Sequence, residues 1–99
     1  MPAGVITYQH NAAVTVGTAS TEGAAANSGR SFAIFINDSD EALYIAVNEA
    51  AVLNQGIRLN ANGGSYTMSE QLGNLSTAAV NAICTSGGKL LLVTESTAG

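Results

Sequence analysis

The side chains able to do chemistry in this chain are few and scattered. There is one histidine, His10, and one cysteine, Cys84. A nucleophilic triad needs a histidine to take a serine proton and a carboxylate to orient it, on a scaffold such as a G-x-S-x-G elbow. No such elbow accompanies His10, which lies in Tyr8-Gln9-His10-Asn11, a polar stretch after Pro2 and Gly4. A surface or interface histidine is expected there. Cys84 falls in an apolar run with Val80 and Ala82, and no adjacent cation or histidine activates the thiol. It is expected as a small buried hydrophobe. A lone cysteine also makes neither an intrachain disulfide nor a cysteine-based zinc site.

Three patterns invite a binding role and fall short of one. Asp38-Ser39-Asp40-Glu41 gathers carboxylates, but a calcium loop of the EF-hand kind also needs alternating oxygen ligands, a central glycine and a distant glutamate. A solvated turn is expected. Ser86-Gly87-Gly88-Lys89-Leu90 has the lysine of a P-loop without its first glycine or the hydroxyl residue after lysine. It reads as a hairpin turn. Asn37-Asp38-Ser39 and Asn74-Leu75-Ser76 match the glycosylation tripeptide, but no secretory signal gives them meaning. These residues point to no enzyme and no cofactor.

Charge is more informative. Only 10% of residues are charged, against roughly a quarter in ordinary domains. Net charge is −4, and the cations are Arg30, Arg58 and Lys89 alone. Nucleic-acid binding needs clustered Lys and Arg to replace phosphate counterions, so nucleic acid is excluded as a partner. An anionic membrane surface is disfavoured for the same reason. No apolar run approaches the ~20 residues of a membrane-spanning helix. Met1-Pro2-Ala3-Gly4-Val5-Ile6-Thr7 lacks the basic and long apolar regions of a signal peptide, which predicts synthesis in a cytoplasm. Arg30 and Arg58 flank apolar strands, where a rare arginine forms a buried or interface ion pair or snorkels at the surface. Low charge and an alanine-rich apolar fraction leave a thin core. Together they predict a surface covered by other subunits, in a homo-oligomer expected to be a trimer.

The elements that must position these residues are short strands. Residues 1–11 read as an extended arm, with Val5, Ile6 and Tyr8 apolar enough to dock on a neighbour. A β-domain follows over 12–95 and a loose tail over 96–99. Alternation predicts strands at 12–18, 31–37, 42–48, 57–59, 65–68, 77–84 and 89–95. Residues 20–29 read as a loop or strand edge, and 49–56 as room for one helical turn. Turns at Asn37–Glu41 and Thr85–Gly88 predict hairpins between their flanking strands. The Asn60–Gly64 turn supplies positive φ cheaply. The run at 89–95 is apolar on both faces and is expected in the middle of a sheet. About seven short strands predict an all-β fold, an antiparallel β-sandwich or small barrel with an extended N-terminal arm. The core is predicted from Phe32, Ile34, Ile36, Leu43, Ile45, Val47, Val80, Leu90 and Leu92.

The order of strand and turn segments carries a resemblance. It opens with Val14-Thr15-Val16-Gly17-Thr18-Ala19-Ser20-Thr21. Arg30-Ser31-Phe32-Ala33-Ile34-Phe35-Ile36-Asn37-Asp38-Ser39-Asp40 and Leu43-Tyr44-Ile45-Ala46 follow. Gly56-Ile57-Arg58-Leu59-Asn60-Ala61-Asn62-Gly63-Gly64-Ser65-Tyr66, Val80-Asn81-Ala82-Ile83 and Leu91-Leu92-Val93-Thr94-Glu95 complete it. This order resembles small β-rich structural proteins of the virion of tailed bacteriophages, over about four-fifths of the chain. The resemblance implies a capsid decoration (cement) protein on the outer head surface. Made in the host bacterial cytoplasm, it would bridge subunits of the major capsid protein. It equally fits a neck, tail or head-fibre-base component, and it carries no active site. A carbohydrate-binding β-sandwich is the alternative of another class, disfavoured by the absence of Trp and the presence of only three Tyr. Contacts to partners are expected from Val5, Ile6 and Tyr8 of the arm and from Arg30 and Arg58.

Overall fold

The structure is a computed structural model that describes the backbone of residues 6–98 and the side chains of residues 9–97. The described chain is all-β. Its strands are β1 (Ile6–Val16), β2 (Thr21–Ala24), β3 (Arg30–Asn37), β4 (Leu43–Val47), β5 (Ile57–Leu59), β6 (Ser65–Ser69), β7 (Val80–Ile83) and β8 (Lys89–Ala98). They form two four-stranded antiparallel sheets, ordered β1-β8-β3-β6 and β2-β7-β4-β5. The first strand pairs with the last, the second with the seventh, the third with the sixth and the fourth with the fifth. An antiparallel ribbon rolled up in this way is a jelly roll.

The strands lie close to where alternation places them, with four differences. β1 begins at Ile6, so residues expected in the arm run as a strand opposite β8, His10 facing Glu95 in the ladder. β8 continues through the expected tail to Ala98 for the same reason: each end supplies the other's hydrogen-bonding partner. Residues 20–29 contain β2. No helical turn forms over 49–56, where Asn48, Asn54 and Gly56 all adopt positive φ and turn the chain instead. A Cβ on Gly56 would sit 2.5 Å from the Ile45 carbonyl oxygen.

Both predicted hairpins are corrected. β3 and β4 lie in different sheets, and so do β7 and β8. Their turns carry the chain across the sandwich rather than back along the same sheet. A polar turn signals reversal, and reversal serves a sheet change as well as a hairpin.

The core lies between the sheets. Val16, Ala33, Phe35, Met68, Leu91 and Val93 come from one sheet, and Leu43, Ile45, Leu59, Val80 and Ala82 from the other. Cys84 is fully buried among them. Leu43, Ile45 and Val80 are core residues as expected, and Val47 is half-buried against the core. Phe32, Ile34, Ile36, Leu90 and Leu92 are not in the core: β3 turns Ala33, Phe35 and Asn37 inward, and β8 turns Leu91 and Val93 inward. A one-residue shift reverses every side chain of a strand, so all five residues face outward together.

Two buried polar residues pin this register at the ends of β3. Arg30 is 2% exposed. Its Nε donates to Glu95 Oε1 at 2.6 Å, and its other nitrogens donate to the carbonyls of Ser76, Ala78 and Ala25 at 2.8–2.9 Å. At the other end, Asn37 Nδ2 donates to the carbonyls of Glu41 and Leu59, and its Oδ1 accepts from Ser39 Oγ at 2.6 Å. The ladder to β8 shifts between Arg30 and Phe32, and this bulge brings Arg30 to the inward side with Ala33, Phe35 and Asn37. Turning β3 over would strand both groups' bonds, at roughly 1–3 kcal/mol for each buried polar atom left unpaired.

Candidate interaction surface

The five displaced apolar residues lie together. On the outward face of the β1-β8-β3-β6 sheet, Ile36 stands between Leu92 and Ser65, and Leu92 stands next to Ala13. One register row along, Ile34 stands between Thr94 and Thr67, and Asn11 lies beyond Thr94. Leu90 faces Thr15, and Phe32 faces Ser69. Among the residues whose side chains are described, the outward positions of the four strands are Ala, Leu, Ile, Phe, Ser, Thr, Asn and Gln, with no Asp, Glu, Lys or Arg among them. Leu90 is 39% exposed, and Phe32, Ile34, Ile36 and Leu92 are half-buried. Thr94 Oγ1 donates to Asn11 Oδ1 at 2.9 Å, which ties the two polar side chains to each other.

Strand spacing of about 4.8 Å and a rise of about 3.3 Å per residue give this face roughly 15 Å by 17 Å. The face is therefore about 250 Å², with apolar residues interleaved with Ser, Thr and Asn, close to the lower end of the ~300–600 Å² of the largest patch on a typical monomer, which is often functional. It is also well below the ~800 Å² per partner of a standard stable interface. One such face therefore makes a weak contact, and strength has to come from repetition.

The opposite face is built differently. β5 presents Arg58 to solvent opposite Tyr44, and β2 presents Glu22. The loop over residues 48–56 lies back on this sheet: Asn81 Nδ2 donates to the Glu49 carbonyl at 2.7 Å, and Tyr44 Oη donates to Asn54 Oδ1 at 3.0 Å. A small pocket there is lined by Ala46, Glu49, Val52 and Gln55.

The residues singled out in the sequence are spread over the molecule. Val5 lies outside the described residues, as do the side chains of Ile6 and Tyr8, whose backbones belong to β1. Arg30 sits inside the sandwich and serves the fold through its ion pair with Glu95, so it offers nothing to a partner. Arg58 is exposed and is the one cation without an ion pair among the described residues. His10 is exposed on β1, far along the fold from Cys84. The acidic turn disperses its carboxylates. Asp40 takes Lys89 Nζ at 2.7 Å, and that hydrogen bond and charge hold its carboxyl below the usual range. Glu41 accepts the Ser86 N–H at 2.8 Å, which lowers its carboxyl likewise. Among the described residues, no three His, Cys, Asp or Glu side chains converge on a metal position.

Alternation read the β3 and β8 residues correctly as one face and chose the wrong side for it. The signal that finds the surface is apolar residues on both faces of adjacent strands, Phe32-Ala33-Ile34-Phe35-Ile36 and Leu90-Leu91-Leu92-Val93. A sheet apolar on both sides has something to bury on both. No protein-family model, curated protein or solved structure matches this chain.

Proposed function

We propose that this chain is a structural subunit that works by docking its uncharged sheet face onto a larger assembly, as a capsid decoration protein on the outside of a bacteriophage head. One observation carries the reading: Phe32, Ile34, Ile36, Leu90 and Leu92 gather on an outward face without a charged residue. Such a face gains free energy by leaving water, at roughly 25 cal/mol per Å² of apolar area. The jelly roll is shared by viral capsid domains, lectins and cupins, so the fold alone does not choose among them. The resemblance in strand order favours the virion, with the major capsid protein as partner.

The mechanism is mass action. A subunit that binds assembled shell and not free capsid protein stabilises the assembled state. Each contact is weak at this area, and many symmetry-related contacts across neighbouring capsomers add to firm retention. Glycan binding has less support, because Tyr44 and Tyr66 are half-buried and their hydroxyls are engaged with Asn54 and Asn74. The test is co-sedimentation of the purified chain with intact and with dissociated phage capsids. Binding to intact shells in a copy number that follows the capsomers supports decoration. Binding only to neck or tail parts relocates the protein within the virion. Binding to neither, with capture on a glycan array, replaces the reading.

A further inference from the structure

The turn Asn60-Ala61-Asn62-Gly63-Gly64 joins β5 to β6 and needs left-handed backbone: Asn62 has φ 60° and Gly63 has φ 111°. Asn and Gly are the residues that adopt this region at least cost. The same pair carries an intrinsic reactivity. Asparagine is among the chemically labile side chains. The backbone nitrogen that follows it can attack its side-chain amide, and a Cβ on the following residue hinders that approach. Of the asparagines in this chain, only Asn62 precedes a glycine.

Asn62 is exposed, and its side chain forms no hydrogen bond with any described residue. A Cβ placed on Gly63 would meet nothing within 4 Å, so ring closure has room. Asparagines elsewhere are held: Asn37 is buried, Asn54 Oδ1 accepts the Tyr44 hydroxyl, and Asn81 Nδ2 donates to the Glu49 carbonyl. What restrains Asn62 is backbone. Its N–H donates to the Ser39 carbonyl, and the Gly63 N–H donates to the Asn37 carbonyl, both at 2.8 Å. The Asn37 N–H in turn donates to the Gly64 carbonyl at 2.8 Å. The attacking nitrogen is thus tied to the end of β3 and is freed only when the turn lifts from that strand.

We propose that Asn62 is a self-modification site, converting without an enzyme to aspartate and isoaspartate at a rate set by opening of the 60–64 turn. In the open turn the Gly63 nitrogen gives its proton to hydroxide and bonds to Asn62 Cγ. The Cγ–Nδ2 bond breaks, and ammonia leaves with a proton taken from water. Water then opens the cyclic imide at one of its two carbonyls. Breaking the new bond from nitrogen to Cγ restores the main chain with an aspartate. Breaking the bond from nitrogen to the Asn62 carbonyl carbon reroutes the chain through the side chain. The net change consumes one amide and one water and yields one carboxylate and one ammonium, with nothing oxidised or reduced. The bond to Ser39 sets the new carboxylate beside the acidic turn, where Lys89 is already paired with Asp40. The isoaspartyl route also lengthens the backbone and moves the Gly63 N–H off Asn37. Conversion therefore loosens this turn from the buried Asn37 that fixes the register of β3. The inference does not depend on what the outward face binds.

The test incubates the purified full chain in mildly alkaline buffer, folded and in guanidinium chloride. Peptide mass spectrometry with isoaspartyl methyltransferase labelling follows each asparagine. Asn62 is expected to convert ahead of every other asparagine. The folded chain is expected to convert about tenfold to hundredfold more slowly than the unfolded one, since two hydrogen bonds of up to about tenfold each restrain the turn. Hydrogen exchange of the Gly63 N–H reads turn opening in the native protein, and conditions that speed this exchange are expected to speed conversion in step. Asn62→Gln, whose longer side chain closes a less favourable ring, is expected to stop the reaction at this position. Anion exchange separates converted protein by its added negative charge, and this fraction is expected to exchange the Asn37 N–H faster than the parent. Conversion led by another asparagine overturns the proposal. So does an equal rate in the folded and unfolded chains, a folded chain that stays unmodified beyond that range, or a converted fraction that keeps the parent's exchange rates.

Discussion

On one side of the sandwich, Arg58 and Glu22 meet solvent, and the 48–56 loop lies over the sheet, held by Asn81 and Tyr44. On the other side, Phe32, Ile34, Ile36, Leu90 and Leu92 face outward with only uncharged Ser, Thr, Asn, Gln and Ala around them among the described residues. The first face is finished within its own chain. The second is covered by no described part of the chain, and its apolar residues are as large as those of the core. A protein that spends several of its few large side chains outside a thin core has them there for a contact. An isolated exposed Leu needs no such explanation, but a cluster does.

The largest test of this contrast separates the two faces of β3. Phe35→Ala, in the core, is expected to cost about 3–5 kcal/mol. That is a large part of the roughly 5–15 kcal/mol that holds a domain together. Ile34→Ala, on the outward face, is expected to cost about 1 kcal/mol because half of its surface burial is absent in the free chain. Urea unfolding of both variants checks the pair, and equal losses would mean that Ile34 is covered within the free protein.

Next in size is the register clamp. Arg30→Lys keeps the charge and loses the planar fork that serves Glu95 and three carbonyls at once. A loss of about 2 kcal/mol is expected, from carbonyls left without donors. Arg58→Lys, on the finished face, is expected to leave the unfolding midpoint unchanged, since exposed charges contribute little.

A third experiment leaves stability nearly alone and reads binding. Ile36→Thr with Leu92→Thr keeps the strand propensity of β3 and β8 and removes the centre of the apolar face. Capsid co-sedimentation is expected to fall sharply while the circular dichroism spectrum stays that of the parent. Unchanged binding would move the docking surface to the loops.

The smallest effect concerns the acidic turn. The carboxyls of Asp40 and Glu41 are held below their usual range by Lys89 and by the Ser86 N–H. Their stabilisation is fully present above the ordinary carboxylate range and is lost as the pH falls below it through the lowered folded-state values. Lys89 is shifted upward by Asp40, so its share is present at neutral pH and lost only at strongly alkaline pH. Asp40 is exposed, and Asp40→Asn is expected to lower the midpoint at pH 7 by less than any core variant, with the difference shrinking as the pH falls below the ordinary carboxylate range.

Much of this architecture is legible in the residues themselves. Alternating β-branched and aromatic positions mark β3, β4 and β8, and turns rich in Asn, Asp, Ser or Gly mark where the chain reverses. Low charge alone suggests a covered surface. Local pattern reaches this far because side-chain periodicity and turn dihedrals are properties of a few neighbouring residues. The pairing of strands is not local. That β3 lies beside β8 and β6 rather than β4, and that β1 takes β8 as its partner, depend on residues distant in sequence or on the packing of whole sheets. The inward side of β3 was decided the same way. Both of its faces are apolar, so periodicity could not choose between them. The choice fell to Arg30 and Asn37, whose bonds reach Glu95, Ser76, Ala78, Ala25, Glu41 and Leu59 only when Phe35 points in and Ile34 points out. The sequence by itself determined a β-sandwich of short strands with little charge. Only the tertiary structure decided which face is core and which is surface, because buried polar groups must find partners and those partners come from elsewhere in the chain.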